Sequence, residues 1–236
     1  MDFQTDALDR LVFFLRAEDW AALVGVLDEL VGPLSAVLLY GSRARGQQHA
    51  DSDYDLLVVA EQAGEGIRFL YGGLDLDIEV ASAALYAEPL EGRLYQDCGL
   101  ILRDDTGALA AWLERLRTRR LSGPPPLSAA YRLRMAGWLD RMLRRSQHLG
   151  ACGALRRAAL ASSLPEAALE CLGRWPGSPL QNLKVLRAEW PSLHAAIEDW
   201  AGAASVGEQL LHLERGVRLV AGAFTAGPKG SGQHEL

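Results

Sequence analysis

Leu23, Val26, Leu27 and Leu30 recur at the spacing of a helix that buries one face, so a helix is expected near Glu18–Val31, stopped by Gly32-Pro33. Another helical pattern precedes it, near Thr5–Leu15. The pattern then changes. Ala36 to Tyr40 is a short apolar run that reads as a buried strand, and Tyr54 to Ala60 is a second. Between them lies a loop rich in glycine and arginine with room for one helical turn. Ile67–Leu70 and Leu74–Val80 flank Tyr71-Gly72-Gly73 and predict a hairpin, because paired glycines supply the positive φ angles of a tight turn. Ser82–Leu94 reads as helix and Gly99–Arg103 as a further strand. Thr106 is placed to cap a helix that runs to Leu121.

Ser122-Gly-Pro-Pro-Pro126 breaks this alternation, since three prolines cannot continue a helix and stiffen the chain into a spacer. Beyond it every pattern is helical: Ser128–Leu149, Cys152–Ser163, Pro165–Trp175, Leu180–Trp190, Ser192–Ala203 and Ser205–Phe224. Pro165 and Pro191 fall where the first turn of a helix tolerates proline. The expected fold is α+β: a mixed β-sheet flanked by helices over residues 1–121, a Pro-rich linker over 122–127, a helical bundle over 128–225, and a Gly-rich disordered tail over 226–236.

Composition narrows the chemistry. The 236 residues carry a formal net charge of −6, which disfavours a general nucleic-acid binder, since that affinity comes from neutralising phosphates. Cys98, Cys152 and Cys171 form no CxxC pair and read as reduced thiols of a cytoplasmic protein. No apolar run is long enough for a membrane helix, and Met1 to Arg10 is polar, unlike a signal peptide. The arginines near the linker, Arg115, Arg117, Arg119 and Arg120, read as a solvated helix face, and Trp138, Trp175, Trp190 and Trp200 as helix packing.

The informative stretch is Gly41-Ser-Arg-Ala-Arg-Gly46 followed by Asp51-Ser-Asp53-Tyr-Asp55-Leu-Leu-Val58. A glycine at the end of a buried strand lets the backbone approach a ligand, and the N–H groups after it can face a phosphate. Ser42 adds a hydroxyl donor, and Arg43 and Arg45 add positive charge. His49 lies in this loop without a second ligand-type partner and reads as exposed. Asp53 and Asp55, two residues apart at the start of a strand, share one face, about 7 Å apart at Cα. Hard carboxylate oxygens on one face suit Mg²⁺ together with substrate phosphates. A third acid is expected on a neighbouring strand. In Leu74-Asp-Leu-Asp-Ile-Glu-Val80 one face is apolar and the other carries Asp75, Asp77 and Glu79. Asp77, at the centre, is the choice for third ligand, with Glu79 in reserve and Asp75 also open.

Gly41-Ser42 … Asp53-x-Asp55-Leu-Leu-Val58 resembles the signature of the DNA polymerase β-like nucleotidyltransferases. The run GSRARG…DSDYDLLVV is similar to their minimal and aminoglycoside (kanamycin-type) branches. The resemblance implies two Mg²⁺ ions held by Asp53, Asp55 and Asp77, with Gly41 and Ser42 gripping the terminal phosphates of an NTP, ATP by first choice. The acceptor hydroxyl would attack the α-phosphate. It further implies a phosphate-contacting lysine from the helical half, for which Lys184 is the candidate, and a carboxylate base there, with Glu166, Glu170 and Glu189 open. The leading expectation is transfer of a nucleoside monophosphate to a small aminoglycoside-type acceptor, hence antibiotic resistance. A protein or tRNA acceptor of toxin–antitoxin type, or a non-catalytic nucleotide-binding role, are the alternatives, and a homodimer is one assembly such bundles allow.

Overall fold

The structure, a computed structural model, describes residues 17–71 and 73–226. The fold is α+β. The chain divides into two compact units, Met1–Ser122 and Gly123–Leu236. The helix expected near Thr5–Leu15 and the tail from residue 227 lie outside the described residues, as does Gly72 of the hairpin turn.

In the first unit, α1 (Ala17–Val31) leads into β1 (Leu34–Tyr40), a single turn α2 (Gly41–Ala44), β2 (Tyr54–Ala60), the hairpin β3 (Ile67–Tyr71) and β4 (Leu74–Ser82), then β5 (Leu100–Asp104) and α3 (Ala108–Leu121). The strand order is β3-β4-β2-β1-β5. Only the central pair β2–β4 is parallel; the other three pairings are antiparallel, so the sheet is mixed. Leu39 of β1, Leu56 and Val58 of β2, and Leu76 and Ile78 of β4 point to one face, where they are fully buried with Leu23 and Leu27 of α1. Period-two alternation sends Tyr40, Asp55, Asp77 and Glu79 to the opposite face. That face is apolar further along, at Leu57, Val59 and Leu38, and acidic at the start of β2 and β4.

Two local expectations fail, both at prolines. Ser82–Leu94 is not one helix but two 3₁₀ turns, Ala83–Ala87 and Leu90–Gln96. Pro89 lacks an N–H, and the residue before it, Glu88, takes the extended ψ of 156° that precedes proline. In the second unit, Cys152–Ser163 and Pro165–Trp175 are not separate helices: α5 (Ala151–Cys171) runs through Pro165. Leu160, Ala161, Leu164, Ala167, Ala168 and Leu169 bury a continuous stripe along it, and that burial outweighs the lost backbone hydrogen bond. At the start of α3, Thr106 Oγ1 accepts the amide of Ala108 at 3.3 Å from one residue outside the cap position. Gly107 takes that position with φ 75°, and Asp104 Oδ2 accepts the amide of Ala110 at 2.8 Å.

The rest of the second unit follows the pattern. α4 (Ala129–Ser146) is capped by Ser128, and α6 (Pro179–Glu189) by a Ser178–Gln181 capping box with Pro179 in its first turn. α7 (Pro191–Gly202) starts at Pro191, and α8 (Val206–Ala226) completes the bundle. Leu139, Leu160, Leu186, Leu193, Leu213, Val220 and Phe224 form its core, with Trp138, Trp190 and Trp200 packed against it. Among the described residues, no helix is long and apolar enough to cross a membrane.

Candidate active site

Parallel pairing places Asp55 of β2 directly beside Asp77 of β4, on the same face of the sheet. Asp53, two residues before Asp55, joins them. One carboxylate oxygen from each of Asp53, Asp55 and Asp77 lies within 4.8 Å of the other two. All three residues are half-buried. Burial first, and then the neighbouring charges of Asp53 and Asp77, push the Asp55 carboxyl up to about 6 from its ordinary 3.8; the nearby positive charges of Arg45 and Arg68 act against this. Three carboxylates this close could serve a hard divalent cation as its donor set, and separations of this size suit one ion or a bridged pair. The residues present therefore fit Mg²⁺.

The turn after β1 is built around Asp55. Gly41 has φ 74°, and a Cβ added to it would sit 2.6 Å from Asp55 Cγ and closer still to Oδ2. Only glycine leaves room for that carboxylate and adopts that backbone angle without strain. Ser42, half-buried, follows in α2 and its carbonyl accepts the amide of Gln47 at 2.9 Å, closing the turn.

The two arginines of the loop are placed differently. Arg43 turns onto the chain that carries Asp53. Its Nε donates to the carbonyls of Ser52 and Asp53 at 3.0 Å each, its Nη2 also bonds the Ser52 carbonyl, and its guanidinium lies 3.9 Å over the ring of Tyr54. It is a brace for the aspartate loop. Arg45 has a buried Nε with no hydrogen-bond partner among the described residues, and its charge is felt at Asp55. His49 is exposed, and its amide donates to Ser52 Oγ at 2.9 Å.

The three acids of β4 have three different surroundings. Asp77 faces Asp55. Asp75 is gripped by Arg68 of β3, whose Nε and Nη2 donate to its two oxygens at 3.2 and 3.0 Å. Glu79 is held by Arg93, by Tyr95 OH at 3.4 Å and by Gln96 Nε2 at 3.3 Å, all from the second 3₁₀ turn. Arg93 also reaches Glu88 at 3.3 Å. Tyr95 stands edge-on to Tyr40, ring centroids 5.6 Å apart, and burial, then Tyr95, Glu79 and Asp55, hold the Tyr40 hydroxyl well above its ordinary range. Glu79 belongs to this network, and Asp77 is the acid that meets Asp53 and Asp55.

Arg68 escapes sequence reading. Its contacts depend on the register of β3 against β4, where Arg68 pairs with Asp77. Its Nη2 reaches past Asp75 to Asp53 Oδ2 at 3.3 Å. A basic residue on a hairpin arm facing an acidic one is the only signal that hints at it. The arginines of α3 bind within their own unit: Arg115 to the Tyr86 carbonyl, Arg117 to the Asp97 carbonyl, Arg119 to Glu91 and Arg120 to Asp97.

Lys184 lies exposed on α6 of the second unit. Of the three glutamates there, Glu170 accepts a hydrogen bond from Tyr131 OH at 2.8 Å, Glu189 pairs with Arg174 at 3.0 Å, and Glu166 is exposed on α5.

Residues 30–87, which hold the glycine-serine turn and all three aspartates, match the model of a family described as "Polymerase beta, Nucleotidyltransferase". None of the curated proteins matches the chain. Among solved structures, a nucleotidyltransferase-like protein from Exiguobacterium sibiricum 255-15 is similar over 86% of this chain and 77% of that one, with 14% identity and a TM-score of 0.40.

Proposed function

We propose that this chain is a metal-dependent nucleotidyltransferase that transfers AMP from ATP to a hydroxyl of a small, polyamine-rich acceptor of aminoglycoside type. The observation that carries the reading is the convergence of Asp53, Asp55 and Asp77, with oxygens within 4.8 Å of one another, beside the turn at Gly41 and Ser42. The family match over this segment supports the transferase class.

Asp53, Asp55 and Asp77 would hold two Mg²⁺ ions, which when bound would neutralise charge on the triphosphate and lower the pKa of the acceptor hydroxyl. The protein's own part is positional. The Gly41-Ser42 turn offers backbone N–H groups and a hydroxyl to the terminal phosphates. Arg45, whose charge acts at Asp55, is the loop's cation for the phosphates, while Arg43 keeps Asp53 in place. In the transfer, the acceptor oxygen forms a bond to the α-phosphorus, the bond to the β-phosphate oxygen breaks, pyrophosphate leaves, and the hydroxyl proton passes to a base. An acidic chain with an acidic sheet face favours a polycationic acceptor over a polyanionic one such as tRNA.

The test is pyrophosphate release by purified protein with Mg²⁺, ATP and a panel of aminoglycosides, run beside Asp53→Asn. Release with at least one acceptor, lost in the variant, is the expected result. No release from any acceptor by protein that still binds ATP, or equal release by both proteins, would overturn the proposal.

A further inference from the structure

Three carboxylates that converge without a cation repel one another, and a fold that holds them so needs a positive charge nearby. Arg68 supplies one. It leaves β3 opposite Asp77, so its side chain emerges on the acidic face. Asp75 grips it by two parallel N–H···O contacts, the fork geometry that fixes a guanidinium in a plane. Its remaining contact, Nη2 to Asp53 Oδ2 at 3.3 Å, reaches into the triad. The side chain is 59% exposed, so this third contact is a weak surface pair and readily displaced.

From this we infer that Arg68 is the internal counter-ion at Asp53 of the metal-free site: it occupies the negative charge of Asp53 that a divalent cation must take, and Asp75 tethers it at the rim when the cation displaces it. Arg68 and Asp75 are thus positioning residues that set how tightly the site takes metal by itself. The inference rests on the metal reading of Asp53, Asp55 and Asp77. It gives Asp75 a role distinct from metal ligation, since both of its oxygens are engaged by Arg68.

The test is a titration with Mn²⁺ alone, no nucleotide, followed by electron paramagnetic resonance on the full chain at constant ionic strength. The proteins are wild type, Arg68→Met, Asp75→Asn, the double variant and Asp77→Asn, with circular dichroism to verify each fold. Arg68→Met is expected to bind Mn²⁺ about two- to fivefold more tightly, the scale of a surface ion pair. Asp75→Asn is expected to bind more weakly, because the untethered guanidinium falls wholly onto the triad. In the double variant the Asp75→Asn effect is expected to vanish, since it acts through Arg68. An Asp75→Asn effect of the same size with and without Arg68 would make it a plain through-space charge effect and sink the inference. So would unchanged or weaker binding by Arg68→Met while Asp77→Asn abolishes binding, and in that case the metal reading survives. If Asp77→Asn binds Mn²⁺ as well as wild type, the metal reading fails and takes this inference with it.

Discussion

The carboxylate of Asp55 occupies the space that a Cβ on Gly41 would fill. The end of β1 and the start of β2 are adjacent through the pairing of Tyr40 with Asp55, so the turn and the acid approach closely. Gly41→Ala is expected to cost about 1–2 kcal/mol for the left-handed backbone alone, with a further loss as Asp55 is pushed out of the triad. Thermal unfolding reads the first effect and pyrophosphate release the second. Full activity in a stably folded Gly41→Ala would show that the contact does not matter.

Asp53, Asp55 and Asp77 should be individually indispensable. Removing an outer partner of a metal ligand typically weakens binding or activity by about 10–100-fold, so each Asp→Asn change is expected to lower pyrophosphate release by on the order of 100-fold or more. Single-turnover kinetics on the three variants checks this. A variant that keeps a tenth or more of the rate is not a ligand.

Glu79 makes a useful contrast to Asp77 on the same strand face. Its partners Arg93, Tyr95 and Gln96 bind it into the cover of the sheet. Glu79→Gln takes the carboxylate from the partly buried Arg93 guanidinium, 19% exposed, leaves it the Glu88 contact alone as an ion pair, and is expected to destabilise the fold by about 1–2 kcal/mol. Mn²⁺ binding should persist. Denaturant unfolding together with the Mn²⁺ titration separates the two residues, and loss of metal binding in Glu79→Gln would move it into the ligand set.

Asp55 predicts a pH dependence. Its folded carboxyl is pushed up to about 6 from 3.8, by burial first and then by Asp53 and Asp77. A raised value means that the folded, metal-free protein holds this proton more tightly than the unfolded chain does. The stability it contributes is fully present below about pH 4 and is lost as pH rises through about 6. Metal requires the deprotonated form, so Mg²⁺ affinity should rise across that same window and level off above it. Added Mg²⁺ should raise the melting temperature at pH 7 and do little at pH 5. Equal stabilisation at both values would contradict the shift.

In the bundle, Arg157 is 5% exposed and donates to the carbonyls of Ser146 and His148 at 2.9 and 3.3 Å, and to Gln209 at 3.2 Å. It satisfies acceptors at and just beyond the C-terminus of α4 and places a positive charge where the helix dipole favours it. Arg157→Leu leaves the buried Ser146 carbonyl without its donor and removes the contacts to His148 and Gln209, and is expected to cost about 2–4 kcal/mol. Chemical denaturation measures it, and a change below about 0.5 kcal/mol, the usual range for a surface substitution, would refute the role.

The acids of the candidate site were legible in the sequence because their arrangement is local. Alternation along Tyr54–Ala60 and Leu74–Val80 decides which side chains share a face, and the apolar positions decide which face is buried, so the acids of both strands had to emerge together. Neither fact needs a partner. What alternation cannot supply is register. That Asp77, rather than Asp75 or Glu79, stands beside Asp55 follows from the parallel pairing of β2 with β4. That Arg68 reaches Asp53, and that Arg93 claims Glu79, follows from which elements come to lie over the sheet. The prolines teach the same lesson in the second unit. Local rules end a helix near Pro165, but a buried stripe on both sides of it carries α5 through. Spacing along the chain sets the direction of each side chain; which opposite charge or apolar neighbour it meets depends on residues distant in sequence, and those meet only when the chain has folded.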